Sequence, residues 1–433
     1  MLNLEKVREN IILKEGIYYF DWTASGLGYK GVEDEILRVL HTYSNTHSEC
    51  SDCAKITTNY YENARNGLKT LLEISDDFYL LPCGFGSTAA IKKFQEIMGI
   101  YLPPATKTIL QNVISNLKND SLPLVIVSPY EHHSNEVSFR SGLCEIYRVP
   151  LALDGGIHWG ELDRVLKINR NRRIIASFSA ASNVTGVKTD IANLYKMVKK
   201  YNGIVALDAS SISPYENIPC DLYDALFISP HKLLGGVGSS GLLVIKKELC
   251  SSAQPTFAGG GTVSYVSRKS VKYLDNVELL EDAGTPGIIE LIRGYLAFKL
   301  RNDIGLDRIK KIEQQHLEYF EDSLKSIKNM ICYCPKSALK LPIFSFNIKD
   351  ISPYVLANTL SAKFGVQSRA GCACAGPYGH DLLGLKDDDE FLNKPGFVRV
   401  SLHYTHTKDD IDYLLNSIKE AVKQTILKLL NFF

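Results

Sequence analysis

The sequence predicts an α/β protein with a large domain on a mostly parallel sheet and a smaller α+β domain after it. Short apolar, β-branched runs alternate with amphipathic helical stretches up to about residue 299. Such alternation with fully apolar strands belongs to parallel sheets covered on both faces. From about Arg301 the order changes: helical stretches at Ile304–Ser326 and Asp409–Leu430 flank shorter strand candidates at Pro342–Ile348 and Phe397–Leu402. The expected division is residues 1–299 for the N-terminal segment and large domain, and 300–433 for the small one.

The strand candidates of the large domain are Leu124–Val127, Ile174–Phe178, Ile204–Leu207, Ala225–Ile228 and Gly241–Ile245. Between them, Ile191–Tyr201 repeats Leu194, Met197 and Val198 at helical spacing. Upstream, LLPCGFGSTAAIKKFQEIMG reads as strand, glycine turn and helix, with Ser87 or Thr88 as the cap. Ala90, Ile91, Phe94, Ile97 and Met98 form that helix's apolar face. The final AVKQTILKLLNFF carries the apolar stripe of a core helix rather than of a membrane or partner helix.

Composition narrows the function classes. The chain has 433 residues, 45% hydrophobic and 22% charged, which is an ordinary globular balance able to bury a sizeable core. Lys and Arg number 49 against 48 Asp and Glu, a formal charge of +1, so neither nucleic acid nor an anionic membrane is an expected partner. The opening MLNLEKVREN mixes acids and bases, and the longest apolar runs are strand-sized, so no signal segment or membrane span is expected. Ten Cys are far too few for a disulfide scaffold. A soluble, reduced, cytoplasmic protein is expected.

Parallel α/β sheets place ligands beyond the carboxyl ends of their strands, so the residues ending each apolar run are the informative ones. IVAL ends in Asp208, ALFI in Ser229-Pro230-His231-Lys232, and IIASF in a turn exposing Asn183. LVIV runs into SPYEHHSN with His132 and His133. The helix after GFGST offers unpaired N–H groups and a partial positive charge, a seat for phosphate. Such a junction alone is commonly structural, a strand-end Asp is commonly a cap and a lone Lys is commonly solvated. Their ordered combination is what pyridoxal 5′-phosphate requires: a lysine to join it, an Asp to keep its ring nitrogen protonated, a histidine against the ring, and hydroxyls and amides for the phosphate and ring oxygen.

The order and wording of these motifs resemble the class V, fold-type I pyridoxal-phosphate enzymes, most of all the SUF-type cysteine desulfurases and selenocysteine lyases. The resemblance runs from YYFDWTASGLG to VRVSLHYTHT and is anchored by GSTAAI, YEHHSN, SNVTG, LDASS, SPHKLLG, DAGTP and SRAGCACAGP. It implies that Lys232 joins the cofactor, Asp208 faces its ring nitrogen, and His132 stacks on the ring. Asn183 then lies near the ring oxygen and the substrate carboxylate. Ser87, Thr88, Ser229 and His231 hold the phosphate, while Thr285 reaches the phosphate of a neighbouring subunit, which implies a homodimer. Arg369 grips the substrate carboxylate, and Cys374 collects sulfur as a persulfide. A small amino acid such as L-cysteine is the implied substrate, and a sulfur-acceptor protein a further partner.

The sequence departs from the family's pattern in four places. Ser211 stands where a Gln is usual, and Cys372-Ala373 replaces the usual pair before the nucleophilic cysteine. Residues 376–396 form a longer segment than usual, and the early His-Arg pair reads His47-Ser48. The spacings Cys50-x-x-Cys53, Cys332-x-Cys334 and Cys372-x-Cys374 lack the paired knuckles of zinc sites, so no metal is expected. Cys144, Cys220 and Cys250 read as small packing residues. Cys372 reads as a spectator, a resolving thiol or a second sulfur acceptor. The alternatives to desulfuration are another class V reaction without a persulfide (aminotransfer, lyase or epimerase chemistry) and a catalytically silent binding protein of the same fold.

Overall fold

A computed structural model describes residues 2–46, 50–117, 121–333, 335, 339–386 and 396–430. The large sheet has seven strands: β1 (Phe78–Phe85), β2 (Leu124–Val127), β3 (Glu145–Arg148), β4 (Ile174–Ser179), β5 (Ile204–Asp208), β6 (Ala225–Ile228) and β7 (Ser240–Lys246). Their spatial order is β1-β7-β6-β5-β4-β2-β3, and β7 alone runs antiparallel to its neighbours. Strands β2, β4 and β6 are buried at every residue because helices cover both faces.

Alternate side chains meet opposite layers, as the strand period of two requires. Val125, Val127, Ile175 and Phe227 face α1 (Gly86–Ile97) and α2 (His133–Arg140) through Ile91, Phe94 and Phe139. Ile126, Ala176, Phe178 and Leu207 face the other way, toward α3 (Trp159–Ile168), α4 (Ile191–Lys199) and α5 (Ile288–Ile304).

The second core belongs to the four-stranded antiparallel sheet β8-β9-β11-β10, formed by β8 (Met330–Cys332), β9 (Ile343–Ile348), β10 (Arg369–Gly371) and β11 (Phe397–Ser401). It packs with α6 (Leu306–Leu324), α7 (Pro353–Phe364) and α9 (Lys408–Leu430); between α7 and α9 lies α8 (Gly376–Leu383). In α9, Ile411, Leu414, Ile418 and Ala421 are buried, so it is a core helix. No described helix is long and apolar enough to cross a membrane.

Three details differ from the expectation. The stretch expected as one helix over Ile304–Ser326 belongs to two, because Gly305 takes φ +100° and ends α5 before α6 begins. Residue 299 therefore lies inside α5. Helix α1 is not capped by Ser87 or Thr88: its N-cap is Phe85, and both hydroxyl residues fall within the first turn. Finally, the N-terminal segment packs with the small domain, in a two-stranded sheet of its own and through a bridge from Asp21 to Ser401 at the end of β11. Tyr18–Tyr19 pairs in parallel with Val366–Gln367, the Ser401 N–H donates to Phe20 O at 2.8 Å, and Trp22 stacks on His403 at 3.6 Å.

Candidate active site

Beyond the carboxyl ends of β4, β5 and β6 lies a cavity of about 220 Å³, closed on its far side by the small domain. Ser87, Thr88, His132, Asn183, Asp208, Ser211, Ser229, His231, Lys232, Arg369 and Cys374 all line it. Thr285 does not: it is exposed, and its hydroxyl accepts from Asn45 Nδ2 at 2.9 Å. Cys372 also lies outside the lining. His47-Ser48 and Cys334 fall outside the described residues, and among those described no three His, Cys, Asp or Glu side chains converge as a metal site.

One end of the cavity is a cradle for an anion. Phe85 cannot cap α1 with its side chain, so the first N–H groups of Gly86, Ser87 and Thr88 look for other partners. Ser87 N–H donates to Ser229 Oγ at 2.8 Å, and Ser210 Oγ lies 3.0 Å from the same oxygen. Gly86 takes φ +61°, and a Cβ there would stand 2.9 Å from His231 Cε1, inside the cradle itself. Burial pushes His231 down to about 4, with Lys232 adding to it, so its ring is neutral at pH 7.

At the centre, Asp208 ends β5 and Lys232 closes the turn after β6, the neighbouring strand. The N–H and Oγ of Ser210 both donate to Asp208 Oδ1, at 2.9 and 2.5 Å. Oδ2 takes no hydrogen bond among the described residues, leaving an acceptor on the cavity wall. Burial raises the Asp208 carboxyl, opposed by Ser210 and by Lys232. Burial lowers Lys232 to about 8, Asp208 opposing and Arg399 assisting. An amine half-neutral near pH 8 is a usable nucleophile and proton carrier.

His132 is the N-cap of α2, its Nδ1 accepting from Ser134 N–H at 3.1 Å. Burial, then Lys232 and His133, hold it down near 3, so it meets the cavity as a neutral ring. The preceding residue fixes its place. Buried Glu131 accepts from Asn135 Nδ2 at 2.8 Å and from the Ser179 N–H and Oγ at 2.7 Å, and also bonds the Ser128 hydroxyl. Burial pushes that carboxyl up to about 7 despite these donors.

The small domain contributes a cysteine and two arginines. Arg369 of β10 and Arg399 of β11 are directly opposed in the antiparallel ladder, and both line the cavity. Like charges so placed repel, which favours an anion between them. Arg399 is compensated: its guanidinium bonds Asp21 Oδ1 at 2.6 Å and Asn183 O at 2.9 Å. Arg369 has no ion pair among the described residues, and its Nη2 lies 3.8 Å from Cys374 Sγ. Sequence reasoning missed Arg399. Its signal was a lone arginine in the otherwise apolar run FVRVSL.

Cys374 sits on a turn in which the Ala375 N–H donates to Cys372 O at 3.0 Å, and both central residues, Ala373 and Cys374, are left-handed at φ +51° and +58°. Two non-glycine residues there cost roughly 1–2 kcal/mol each. Bonds from the large domain offset this at roughly 1 kcal/mol each. Asn183 Nδ2 donates to Ala373 O at 2.7 Å, and the His133 N–H donates to Cys374 O at 2.7 Å. The described part of the longer segment after the cysteine begins as α8 and is docked on the large domain, with Tyr378 OH 3.1 Å from Thr185 Oγ1 and Arg148 paired with Asp381 at 2.5 Å; residues 387–395 lie outside the described residues.

The chain compares closely with known proteins over this architecture. Residues 101–414, well over half of it, match the family described as Aminotransferase class-V. The protein belongs to that family. Among curated relatives of this class-V enzyme, a probable cysteine desulfurase of Staphylococcus aureus (strain Mu50) is 26% identical over 398 residues, covering 89% of this chain and 88% of the relative. One of Staphylococcus epidermidis is 24% identical over 426 residues, covering 96% and 94%. The fold is shared with a cysteine desulfurase of Thermococcus onnurineus NA1, at TM-score 0.82 and 22% identity over 98% of this chain and 99% of that one. It is also shared with a cysteine desulfurase of Escherichia coli, at 0.79 and 22% over the same shares. The class-V enzyme is pyridoxal-phosphate-dependent and has the fold-type I architecture. Its cavity fits that cofactor: a cradle that a single Cβ would fill, an open carboxylate oxygen and a lysine of lowered basicity.

Proposed function

We propose that this enzyme removes sulfur from L-cysteine, yielding L-alanine and a persulfide on Cys374. The observation that supports this reading is the cysteine itself. It is held on a left-handed turn in the same cavity as Lys232, with Arg369, which has no ion pair among the described residues, beside its sulfur.

In this reading Ser87, Thr88, Ser229 and His231 hold the cofactor's phosphate. Asp208 would face its ring nitrogen, His132 would cover its ring, Ser211 and Asn183 would serve its ring oxygen, and Lys232 would join it. Pyridoxal phosphate, when bound, supplies a sink for the electron pair released at the substrate Cα. Arg369, with Arg399 opposite, receives the substrate carboxylate and orients Cα. Lys232, its amine neutral in an appreciable fraction at pH 7, takes the α-proton and returns a proton to the carbon skeleton. The Cys374 thiolate attacks the substrate sulfur, and the sulfur–Cβ bond breaks. One thiol and one cysteine thus become one persulfide and one alanine, and an external thiol or acceptor protein then removes the bound sulfur.

Cys374→Ser separates this from the other class V chemistries. The variant is expected to keep the visible cofactor band, to shift it when cysteine is added, and to form no alanine, because a serine hydroxyl is scarcely ionised at pH 7. Wild type is expected to gain the mass of one sulfur on the peptide containing Cys374. Wild-type turnover by Cys374→Ser would overturn the persulfide mechanism and leave aminotransfer or lyase chemistry in its place.

A further inference from the structure

His133 is the histidine of YEHHSN that does not line the cavity. It is instead spent on the cysteine turn, twice. As the first residue of α2 it has a backbone N–H with no partner inside the helix, and that N–H donates to Cys374 O at 2.7 Å. Its ring Nε2 accepts from Gly376 N–H at 2.8 Å, which places the ring proton on Nδ1. The approach is close: a Cβ on residue 376 would stand 3.1 Å from that Nε2. The backbone is thus pinned both at Cys374 and two residues beyond it. Asn183 pins the residue before, through Ala373 O. Between these points the chain holds two consecutive left-handed residues.

We propose that His133 is a positioning residue for the sulfur-accepting thiol, its ring nitrogen and backbone N–H locking the left-handed Cys374 turn of the small domain onto the large one. It lies outside the cavity lining. Its direct bonds to the turn are to the backbone on which Cys374 rides. This rests on the reading of Cys374 as the sulfur acceptor. A side chain that accepts at the same reach preserves the lock, and one that cannot accept releases it.

The test compares His133→Gln, whose amide oxygen can replace Nε2, with His133→Leu, which has no acceptor. Three readouts are taken on each holoenzyme: the visible band with and without cysteine, the kcat and KM for alanine formation, and the rate at which iodoacetamide alkylates Cys374, mapped by mass. Both variants should keep the band and its shift with cysteine. His133→Leu should lose about tenfold or more in kcat with little change in KM, since a displacement near 1 Å is enough for such a loss. Its Cys374 alkylation rate should change by about threefold or more. His133→Gln should recover most of both. Equal behaviour of the two variants, or a Leu variant with wild-type kcat and alkylation, overturns the proposal. If wild type forms no alanine from cysteine, the desulfurase reading fails. The alkylation comparison then decides the lock, and equal rates in all three proteins overturn it.

Discussion

Lys232 shows how position alone changes a residue's chemistry. An exposed lysine keeps its ordinary pKa near 10.5, and at pH 7 almost none of it is neutral. Buried at the end of β6, Lys232 is lowered to about 8, so about one tenth is neutral at that pH. The sign follows from desolvation, which penalises the ammonium, and Asp208 recovers only part of the loss. Cofactor uptake by apoenzyme needs the neutral amine. Its rate is therefore expected to rise about tenfold per pH unit from 6 toward 8 and to level off above that. Growth of the visible band in a pH series checks this. A rise continuing unbroken to pH 10 would show that Lys232 has an ordinary basicity.

At the scale of elements, the decisive contact is between the glycine turn before α1 and strand β7. The β1–β7 ladder slips by one residue between Ser240 and Gly241, skipping Gly84, a bulge just before the cavity-lining Phe85 and Gly86. There the backbones nearly touch: a Cβ on Gly241 would fall 2.0 Å from Gly86 O. Gly241→Ala must push β7 away from the cradle and is expected to destabilise the protein by about 2–3 kcal/mol. It should also weaken cofactor affinity more than Ser211→Ala, which touches no backbone packing. Denaturant unfolding and titration of apoenzyme with pyridoxal phosphate measure both. An Ala variant of wild-type stability would mean that β7 yields without cost.

At the scale of the molecule, the small domain supplies Arg369, Arg399 and Cys374, and the N-terminal segment is packed against it. Asp21, from that segment, compensates Arg399 across the cavity wall. Chemistry therefore depends on how the two cores are held together, through Asn183, His133, Tyr378 and the Arg148–Asp381 pair. We further propose a two-fold dimer as the working unit. Thr285 resembles a residue that completes a neighbour's phosphate site, and in this chain it stands exposed outside its own cavity. Sedimentation of the holoenzyme should show twice the chain mass. A monomer with full cofactor occupancy would contradict the assignment.

Much of this protein was legible in its residues. Leu124–Val127 and Ala225–Ile228 appear at the predicted bounds, because strands buried on both faces leave an uninterrupted apolar run bounded by polar residues. The cavity side of the large domain was equally legible, since parallel strands deliver their last residues to one edge and Asp208, Asn183, Lys232 and His132 mark those ends. What stayed hidden depends on contacts between distant segments. Arg399 looked like one polar residue in an apolar strand until the register set it opposite Arg369. His133 looked like a duplicate of His132 until the small domain brought Gly376 to its ring. Local sequence records which residues a strand or helix presents. Which partner meets them, across hundreds of residues of chain, is decided only when the two cores pack.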